Sequence, residues 1–284
     1  MIITRLEGGL GNQLFQYAIG RHLSIKNNTG LVLDTSNYLF DKNNRHYELS
    51  RYNIKAKTAN ILTCILVRLG KNIIPKITQN IRLPIKYIKE RNNYFNKEIL
   101  SEQSNIILDG YWQSEEYFKD IRDIILDDLT LLSNPDIENK KMLKRINNSN
   151  AVCLHVRRDD YVSNPLLQKY HGNLTPEFYN MAINSICDRI IDPEFYIFSD
   201  EPEWCKRNII TSHPHTFVDI NGPDKAPEDL QLMSACKHFI IANSSFSWWA
   251  AWLSEYKKKI IIAPKRWYRT KDEGDIVPNR WLRI

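Results

Sequence analysis

Residues 152–161 read VCLHVRRDDY, a short apolar run that ends abruptly in charged side chains. The run predicts a buried β-strand, and open α/β sheets bind their ligands beyond the carboxyl ends of such strands. Arg157 and Arg158 indicate a doubly charged anion, because guanidinium groups grip phosphate through two parallel hydrogen bonds. The alternative is a pair of solvated arginines with carboxylate partners nearby.

Strands and helices alternate around this run. We expect strands at residues 151–156, 195–198, 216–218, 239–242 and 260–263, and helices at 176–190, near Glu203, at 227–236 and at 246–253. Five strands that alternate with helices predict a parallel, Rossmann-like sheet. The polar stretch at residues 133–150 is the candidate boundary, and it predicts domains at 1–148 and 149–284.

The N-terminal half opens with a similar unit. An apolar run at residues 1–6 leads into the turn GGLGNQ at 8–13, then into a helical pattern and a second strand at 31–34. Further along, the pattern predicts one or two helices at 60–91, a strand at 106–110 and a helix at 114–132.

The composition bounds the class of protein. A chain of 284 residues that is 43% hydrophobic and 25% charged suits one large domain or two ordinary ones. Its five cysteines include no C-x-x-C pair, which argues against a disulfide framework and favours a reducing compartment. We find neither a secretory signal nor an apolar run close to the roughly 20 residues that span a bilayer. These features predict a cytoplasmic protein.

Positive charge is concentrated in residues 54–97, which hold ten Lys or Arg against one acidic residue, Glu90, in a chain of net charge +6. The rest of the chain is slightly acidic, so a generally basic nucleic-acid-binding protein is excluded. One alternative is a non-enzymatic module that binds anionic lipid or nucleic acid through this segment. The same segment could hold an enzyme peripherally on the inner face of a membrane.

The glycine turn has two interpretations. Gly9 and Gly11 are spaced as in half of a dinucleotide fingerprint, and Asp34 lies near the distance of a ribose-binding acid, but Leu14 occupies the third glycine position. A nicotinamide-dependent oxidoreductase is therefore a weaker alternative. The turn still offers backbone N–H groups at a helix start, with Asn12 and Gln13 as extra donors, unless the glycines serve only its dihedral angles.

Three other features follow strands of the C-terminal half. Residues 240–252 place small hydroxyl residues before a Trp-rich helix, which predicts either an anion site or a serine cap on a core helix. Asp200 could accept hydrogen bonds from a guanine edge or a ribose, or cap a helix. His155 could act as a base or be a buried, hydrogen-bonded histidine. The sequence holds no Asp-x-Asp triplet, so Arg157 is the candidate for the diphosphate.

Four ordered motifs resemble those of the α-1,2-fucosyltransferases of glycosyltransferase family 11. They are GGLGNQLFQ at residues 8–16, HVRRDDY at 155–161, FSD at 198–200 and NSSFSWW at 243–249. The ending at residues 264–284 also fits. The segment at 54–97 carries no motif of the family.

The resemblance implies an α/β fold of the GT-B type, with two Rossmann-like domains facing a cleft. The N-terminal domain would lie on the acceptor side and carry a basic helical insert at about 54–97, and the C-terminal domain would bind GDP-fucose. The implied reaction is inverting transfer of L-fucose from GDP-fucose to the 2-hydroxyl of a terminal β-galactoside, without an obligatory metal or other cofactor. Such a reaction belongs to oligosaccharide or O-antigen biosynthesis. Another nucleotide-sugar transferase of GT-B type is the alternative.

The resemblance also implies site residues. Arg157 would contact the donor diphosphate, Asn12 would lie near the reaction centre, and Asp160 is a further candidate catalytic residue. The donor-binding set is His155, Arg157, Arg158, Asp200, Asn243, Ser244, Ser245, Phe246 and Ser247. Asp160, His155 and Asp34 are candidates for a general base by residue type only, and we predict no metal ligands.

Overall fold

The computed structural model describes residues 1–40, 45–60, 63–64, 85–103, 105–158, 168–170, 172–270 and 272–284. The chain divides into two compact units. Unit 1 comprises Met1–Leu132 with Gly274–Ile276, and unit 2 comprises Ser133–Glu273 with Val277–Ile284. Within the described ranges, no helix combines the length and the apolar character needed to cross a membrane.

Unit 1 is built on a parallel sheet. Its strands are β1 (Ile2–Arg5), β2 (Leu31–Asp34), β3 (Lys57–Thr58), β4 (Lys86–Lys89) and β5 (Ile106–Asp109). They pair in the order β3-β2-β1-β5-β4. Helix α1 (Leu10–Lys26) follows β1, and helix α2 (Arg122–Asp128) follows β5 after single 3-10 turns at Glu115–Tyr117 and Lys119–Ile121. Further 3-10 turns lie at Ser36–Phe40, Leu49–Arg51 and Lys97–Ser101.

Helix α1 packs closely on β1. Leu14, Tyr17, Ala18 and Leu23 are fully buried, as their helical spacing predicts. A Cβ at Gly20 would lie 2.3 Å from Oγ1 of Thr4 and 2.8 Å from a methyl group of Leu31, so this approach requires glycine. The packing fixes the start of the helix, and with it the glycine turn, relative to the sheet.

Unit 2 contains a second parallel sheet. Its strands are β6 (Asn150–Val156), β7 (Pro193–Ser199), β8 (His215–Phe217), β9 (His238–Ile240), β10 (Ile261–Ala263) and β11 (Leu282–Arg283). They pair in the order β11-β10-β9-β6-β7-β8. Its helices are α3 (Ile137–Asn147), α4 (Pro176–Cys187), α5 (Pro202–Asn208), α6 (Ala226–Ser234) and α7 (Ser245–Leu253), with a 3-10 turn at Pro223–Lys225 before α6.

The tryptophans of α7 belong to the core. Trp248, Trp249 and Trp252 are at most 2% exposed, and their rings contact one another, with the ring of Trp248 also 5.4 Å from that of Trp281. Tryptophans packed in this way anchor the helix to the sheet. Their burial fixes where the amino-terminal end of α7 emerges.

The division between the units differs from the predicted boundary at residue 148. Helix α3 belongs to unit 2, because its side chains bind residues of that unit. The amides of Asn139 and Asn221 exchange two hydrogen bonds of 2.9 Å, and Arg145 pairs with Glu194 and lies over the ring of Tyr196. The chain therefore divides at Leu132.

Two further predictions for unit 1 were wrong in part. Residues 86–89 form the edge strand β4 rather than a helix, because Ile88 is buried against the sheet while Lys86 and Lys89 point to solvent. The helix expected at 114–132 is broken into two 3-10 turns and the short α2. Most of the predicted basic insert, residues 65–84, lies outside the described residues. No disulfide joins the five cysteines, all of which lie in the described ranges.

Candidate active site

The order of strands in unit 2 creates a topological switch point between β6 and β9. The chain runs from β6 to β7 and β8 on one side of the sheet, then returns to β9 on the other side of β6. Ligands of open α/β sheets bind at such a switch point, outside the carboxyl ends of the strands. The segment after β6 carries Arg157 and Arg158, and the segment after β9 leads to Ser245 at the start of α7. The two predicted anion-binding segments therefore flank one switch point.

Arg157 is paired with Asp200. Its Nη1 lies 2.9 Å from Oδ2 of Asp200, and the two side chains are 22% and 17% exposed. The other carboxylate oxygen accepts a 2.9 Å hydrogen bond from the backbone N–H of Arg158. Val156 and Ser199 are direct partners on β6 and β7, which is why the residues that follow them meet. Asp200 thus bonds to the arginine segment, while Glu201 stands at the cap position of α5.

Arg158 turns toward α5. Its Nε donates to Oε2 of Glu201 at 3.1 Å, and its guanidinium carbon lies 4.1 Å from the ring centroid of Trp204. A guanidinium over an indole face is attracted by the ring electrons. Arg158 is therefore held by an acid and an aromatic ring that the sequence analysis did not single out. Glu201 could have been found from its place beside Asp200 at the end of β7.

His155 is a buried neutral side chain. It is 5% exposed, its ring centroid lies 5.9 Å from that of Phe246, and its Nδ1 has no hydrogen-bond partner among the described residues. Burial, with a smaller contribution from the charge of Arg157, lowers the pKa of His155 to about 3. An imidazole with so low a pKa is a weak proton acceptor, which argues against a role as general base.

The hydroxyl residues at the start of α7 differ in what they can offer a ligand. Ser244 is the N-cap, and its Oγ accepts from the N–H of Phe246. Ser247 is buried and donates to the carbonyls of Ala242 and Ser244. Asn243 is buried and donates to the carbonyl of Trp267. Ser245 is partly exposed, whereas the other three residues are buried. Its hydroxyl and the N–H groups of the first turn of α7 are therefore the groups of this segment that a ligand could reach.

Unit 1 has its own switch point, between β1 and β5, and the glycine turn lies there. Gly8 has a φ of +78°, and a Cβ on it would lie 2.5 Å from Nδ2 of Asn12, so the turn requires glycine. Oδ1 of Asn12 accepts a 2.9 Å hydrogen bond from Nε2 of Gln113, which follows β5. Gln113 was missed in the sequence analysis, although its position just beyond a predicted strand was the available signal.

Gln13 was considered as an extra donor to a ligand, and the structure contradicts this. The side chain is fully buried. Its amide nitrogen donates to the carbonyls of Gly8 and His46, and its amide oxygen accepts from the N–H of Glu48. All of these bonds lie within unit 1, so Gln13 holds the turn in place.

Comparison with known proteins identifies the family of the chain. The protein-family model described as glycosyl transferase family 11 matches residues 1–284. The chain belongs to glycosyl transferase family 11.

Relatives of this family 11 chain carry related names. The chain is similar to an α-1,2-colitosyltransferase of Escherichia coli, with 35% identity over 100% of this chain and 99% of the relative. It is also similar to the galactoside 2-α-L-fucosyltransferase SEC1 of Bos taurus, with 32% identity over 57% of this chain and 47% of the relative.

A solved structure supports the fold. The fucosyltransferase NodZ from Bradyrhizobium superposes with a TM-score of 0.51 at 14% identity, covering 88% of this chain and 92% of that one. The predicted α/β fold of GT-B type, with two Rossmann-like units, is confirmed.

Family 11 membership removes the nicotinamide-dependent alternative, and Asp34 agrees with this. Its carboxylate is fully buried, and Oδ1 accepts from the N–H of Ser36, so it supports a turn. Asp160 lies outside the described residues. In the part of the chain that the structure describes, no three His, Cys, Asp or Glu side chains group as metal ligands.

Proposed function

We propose that this family 11 protein moves L-fucose from GDP-fucose to the 2-hydroxyl of a terminal β-galactoside, with inversion at the anomeric carbon. One observation carries the proposal: the Arg157–Asp200 pair shares a switch point with the start of α7. A fixed guanidinium, a hydroxyl and helix N–H groups together suit a diphosphate. The α-1,2 linkage and the galactoside are supported by the names of the relatives.

The leaving group sets the chemical demand. The acceptor oxygen attacks the anomeric carbon from the face opposite GDP, and the electron pair of the breaking C–O bond passes to the β-phosphate. Arg157 stabilises this growing charge. Asp200 accepts from Nη1 of Arg157 at 2.9 Å, and this pairing keeps the guanidinium from rotating away from the phosphate. Charge stabilisation would then come from arginine rather than from a metal ion.

The remaining predicted donor-site residues have supporting roles in this proposal. Arg158 shapes the segment through Glu201 and Trp204, and its backbone N–H orients Asp200. Ser245 and the N–H groups of α7 hold phosphate oxygens, while Ser244, Ser247 and Asn243 hold the turn in shape. His155 and Phe246 would lie near the guanosine. Asn12 would lie near the reacting carbon.

A proton must also leave the acceptor hydroxyl. Burial of His155 and Asp34 disfavours both as bases, so Asp160 is the proposed acceptor of this proton among the predicted candidates. An oxocarbenium-like transition state reduces the demand for a strong base, because the hydroxyl attacks late.

A second donor is favoured by one observation. One relative that matches this chain from end to end is named a colitosyltransferase, whereas the match to the bovine fucosyltransferase covers 47% of that protein. Colitose is fucose without its 3-hydroxyl, so the same diphosphate chemistry serves both donors. Discrimination would depend on whether a protein group bonds that hydroxyl.

The test is mass spectrometry of products formed in the presence of EDTA. Purified protein is incubated with GDP-fucose or GDP-colitose and a small panel of β-galactosides. A product heavier by one fucose and sensitive to α-1,2-fucosidase supports the proposal, and a product made faster from GDP-colitose selects the second donor. Absence of any product, of donor hydrolysis and of GDP binding would overturn it. Activity only after a divalent metal is added would remove the arginine-only mechanism.

We also propose peripheral contact with an anionic membrane through residues 54–97. Three of the described basic residues lie on the edge strands of the sheet of unit 1, with Lys57 on β3 and Lys86 and Lys89 on β4. Lys86 is paired with Glu102. Because attraction of Lys and Arg to an anionic membrane is electrostatic, binding to vesicles containing phosphatidylserine should weaken steeply with salt. Vesicles that fail to bind the protein even at low salt would rule this contact out.

A further inference from the structure

The loop after β5 displays an aromatic ring at the switch point of unit 1. Gly110, Tyr111, Trp112 and Gln113 follow the strand directly, and Tyr111 is 40% exposed. Single exposed aromatic residues are common on protein surfaces. What distinguishes Tyr111 is the backbone that carries it and the polar groups beside it.

The backbone on both sides of Tyr111 is held by one carboxylate. Oε2 of Glu90 accepts from the N–H of Tyr111 at 2.7 Å, and Oε1 accepts from the N–H of Trp112 at 3.0 Å. A Cβ on Gly110 would lie 2.3 Å from Cβ of Glu90, so a larger residue would push this carboxylate away. The carbonyl of Gly110 accepts from Nε2 of Gln16. A ring carried on so fixed a loop loses little freedom when it meets a ligand.

Trp112 adds backbone strain. Its φ is +56°, in the left-handed region that favours glycine. The side chain is 1% exposed and packs edge-on against Tyr117 at 5.7 Å. Burial of the tryptophan thus holds the loop in a conformation that the backbone alone disfavours, and this conformation determines where the neighbouring Tyr111 emerges.

The polar groups around the loop suit a neutral ligand. The amide groups of Asn12 and Gln113 lie beside it, joined by their hydrogen bond. Among the charges near the loop, Arg5 pairs with Asp109 at 3.4 Å and donates to Asn37, and Glu90 binds the loop backbone. Arg45 lies beside the glycine turn, with its Nη1 3.4 Å from the position that a Cβ on Gly9 would take. A tyrosine face with neighbouring amides matches a sugar, which has an apolar C–H face and a rim of hydroxyls.

We propose that Tyr111 is the platform for the terminal hexose of the acceptor, with the amides of Asn12 and Gln113 bonding its hydroxyls. This assignment rests on the proposed function. The axial 4-hydroxyl of galactose leaves the C–H groups of C3, C4 and C5 on one face of the ring. That face packs on Tyr111, which makes this residue a determinant of acceptor binding and leaves donor binding untouched.

The test compares the wild type with Tyr111→Ala, Tyr111→Phe and the control Tyr94→Ala, another exposed tyrosine of unit 1. For Tyr111→Ala we expect an acceptor KM about tenfold higher, with the donor KM and GDP-sugar hydrolysis unchanged. Tyr111→Phe keeps the ring and should remain within about threefold of the wild type, and Tyr94→Ala should be unchanged. Donor hydrolysis in the same samples reports that each variant is folded.

An unchanged acceptor KM in Tyr111→Ala would overturn the platform while leaving the proposed function intact. Saturation-transfer NMR with methyl β-galactoside measures acceptor binding directly, so it tests the platform even where no transfer is detected. Galactoside binding that is lost in Tyr111→Ala supports the platform even if the wild type transfers neither fucose nor colitose. Absence of galactoside binding in the wild type would overturn the platform, and absence of transfer, donor hydrolysis and GDP binding as well would overturn both proposals.

Discussion

The two units place loops at equivalent switch points of their sheets, but the two places differ in charge. In unit 2 the loops carry two arginines, two carboxylates and a serine-capped helix start. In unit 1 the corresponding loops carry amides and an exposed tyrosine, and Arg5 and Asp109 pair with each other. We therefore propose that one architecture serves an anion in unit 2 and a neutral, hydroxylated ligand in unit 1.

The difference separates the two halves of the proposed reaction. A nucleoside diphosphate needs fixed positive charge, which grows in value as the leaving group departs. A galactoside needs hydrogen-bond donors and acceptors and an apolar surface. Because it carries no net charge, a strong electrostatic field would contribute little to its binding. Substitutions in unit 2 should therefore affect donor binding and the chemical step, and substitutions in unit 1 should affect the acceptor. Four predictions test this division.

The largest effect is expected from Arg157→Ala. We expect kcat for transfer to fall by about 10²–10³, because the developing phosphate charge loses its main partner. Steady-state kinetics with both substrates would measure it. The matched control is Arg145→Ala, which removes an arginine paired with Glu194 at the opposite end of β7, and its kcat should be unchanged. Near wild-type turnover in a folded Arg157→Ala protein would contradict the assignment.

A smaller loss should follow Gly8→Ala. A residue with a Cβ at φ +78° costs about 1–2 kcal/mol in the free energy of unfolding. The new Cβ would also push Asn12 away, so transfer should slow by about tenfold while GDP binding is kept. Gly30→Ala is the control, because no atom lies within 4 Å of the added Cβ. The two variants would be compared by chemical denaturation and by kinetics, and equal behaviour would refute the importance of this turn.

Arg158→Met should separate the two arginines. Methionine keeps much of the contact with Trp204 but removes the positive charge that attracts Glu201 and the indole ring. We therefore expect the free energy of unfolding to fall by about 1–2 kcal/mol. The effect on kcat should stay below about tenfold, since Arg158 faces α5. Denaturation and kinetics on the same protein measure both. A kcat as low as that of Arg157→Ala would mean that Arg158 shares the diphosphate.

The last prediction concerns the pH dependence of stability rather than catalysis. Because burial lowers the pKa of His155 from 6.5 to about 3, the unfolded chain binds a proton between these values and the folded chain does not. The stability that depends on a neutral His155 is fully present above pH 6.5. It is lost as the pH falls toward 3, at up to about 1.4 kcal/mol per pH unit. His155→Gln should therefore flatten the acid side of the stability curve between pH 6.5 and 4. A curve parallel to that of the wild type would show that His155 is hydrated rather than buried.

Local patterns predicted most of unit 2. The helix expected at 246–253 is observed at Ser245–Leu253, and the strand expected at 195–198 lies within Pro193–Ser199. Such elements are set by hydrophobic periodicity and by turn residues, which a sequence displays directly. The arginine pair at the end of β6 was visible for the same reason, because abrupt polarity after an apolar strand marks a sheet edge.

What escaped prediction depends on contacts distant in sequence. Helix α3 belongs to unit 2 because Asn139 meets Asn221, 82 residues away. Gln13 is used within unit 1 because His46 and Glu48 come back to it, and Gln113 reaches Asn12 across 101 residues. Strand β4 was missed because its mixture of lysines and apolar residues is also typical of a basic helix. Its pairing with β5, which makes it a strand, is a contact that the local pattern does not show. Sequence patterns mark polar residues at a sheet edge, but which neighbour they bind is decided by the fold.

The most direct measurement is calorimetric binding of GDP, in EDTA, to the wild type, Arg157→Ala and Tyr111→Ala. If the anion site belongs to unit 2 and the sugar site to unit 1, Arg157→Ala should raise the Kd for GDP by about tenfold or more. Tyr111→Ala should leave this Kd unchanged. Equal weakening by both variants, or weakening by Tyr111→Ala alone, would contradict the division of labour between the two switch points.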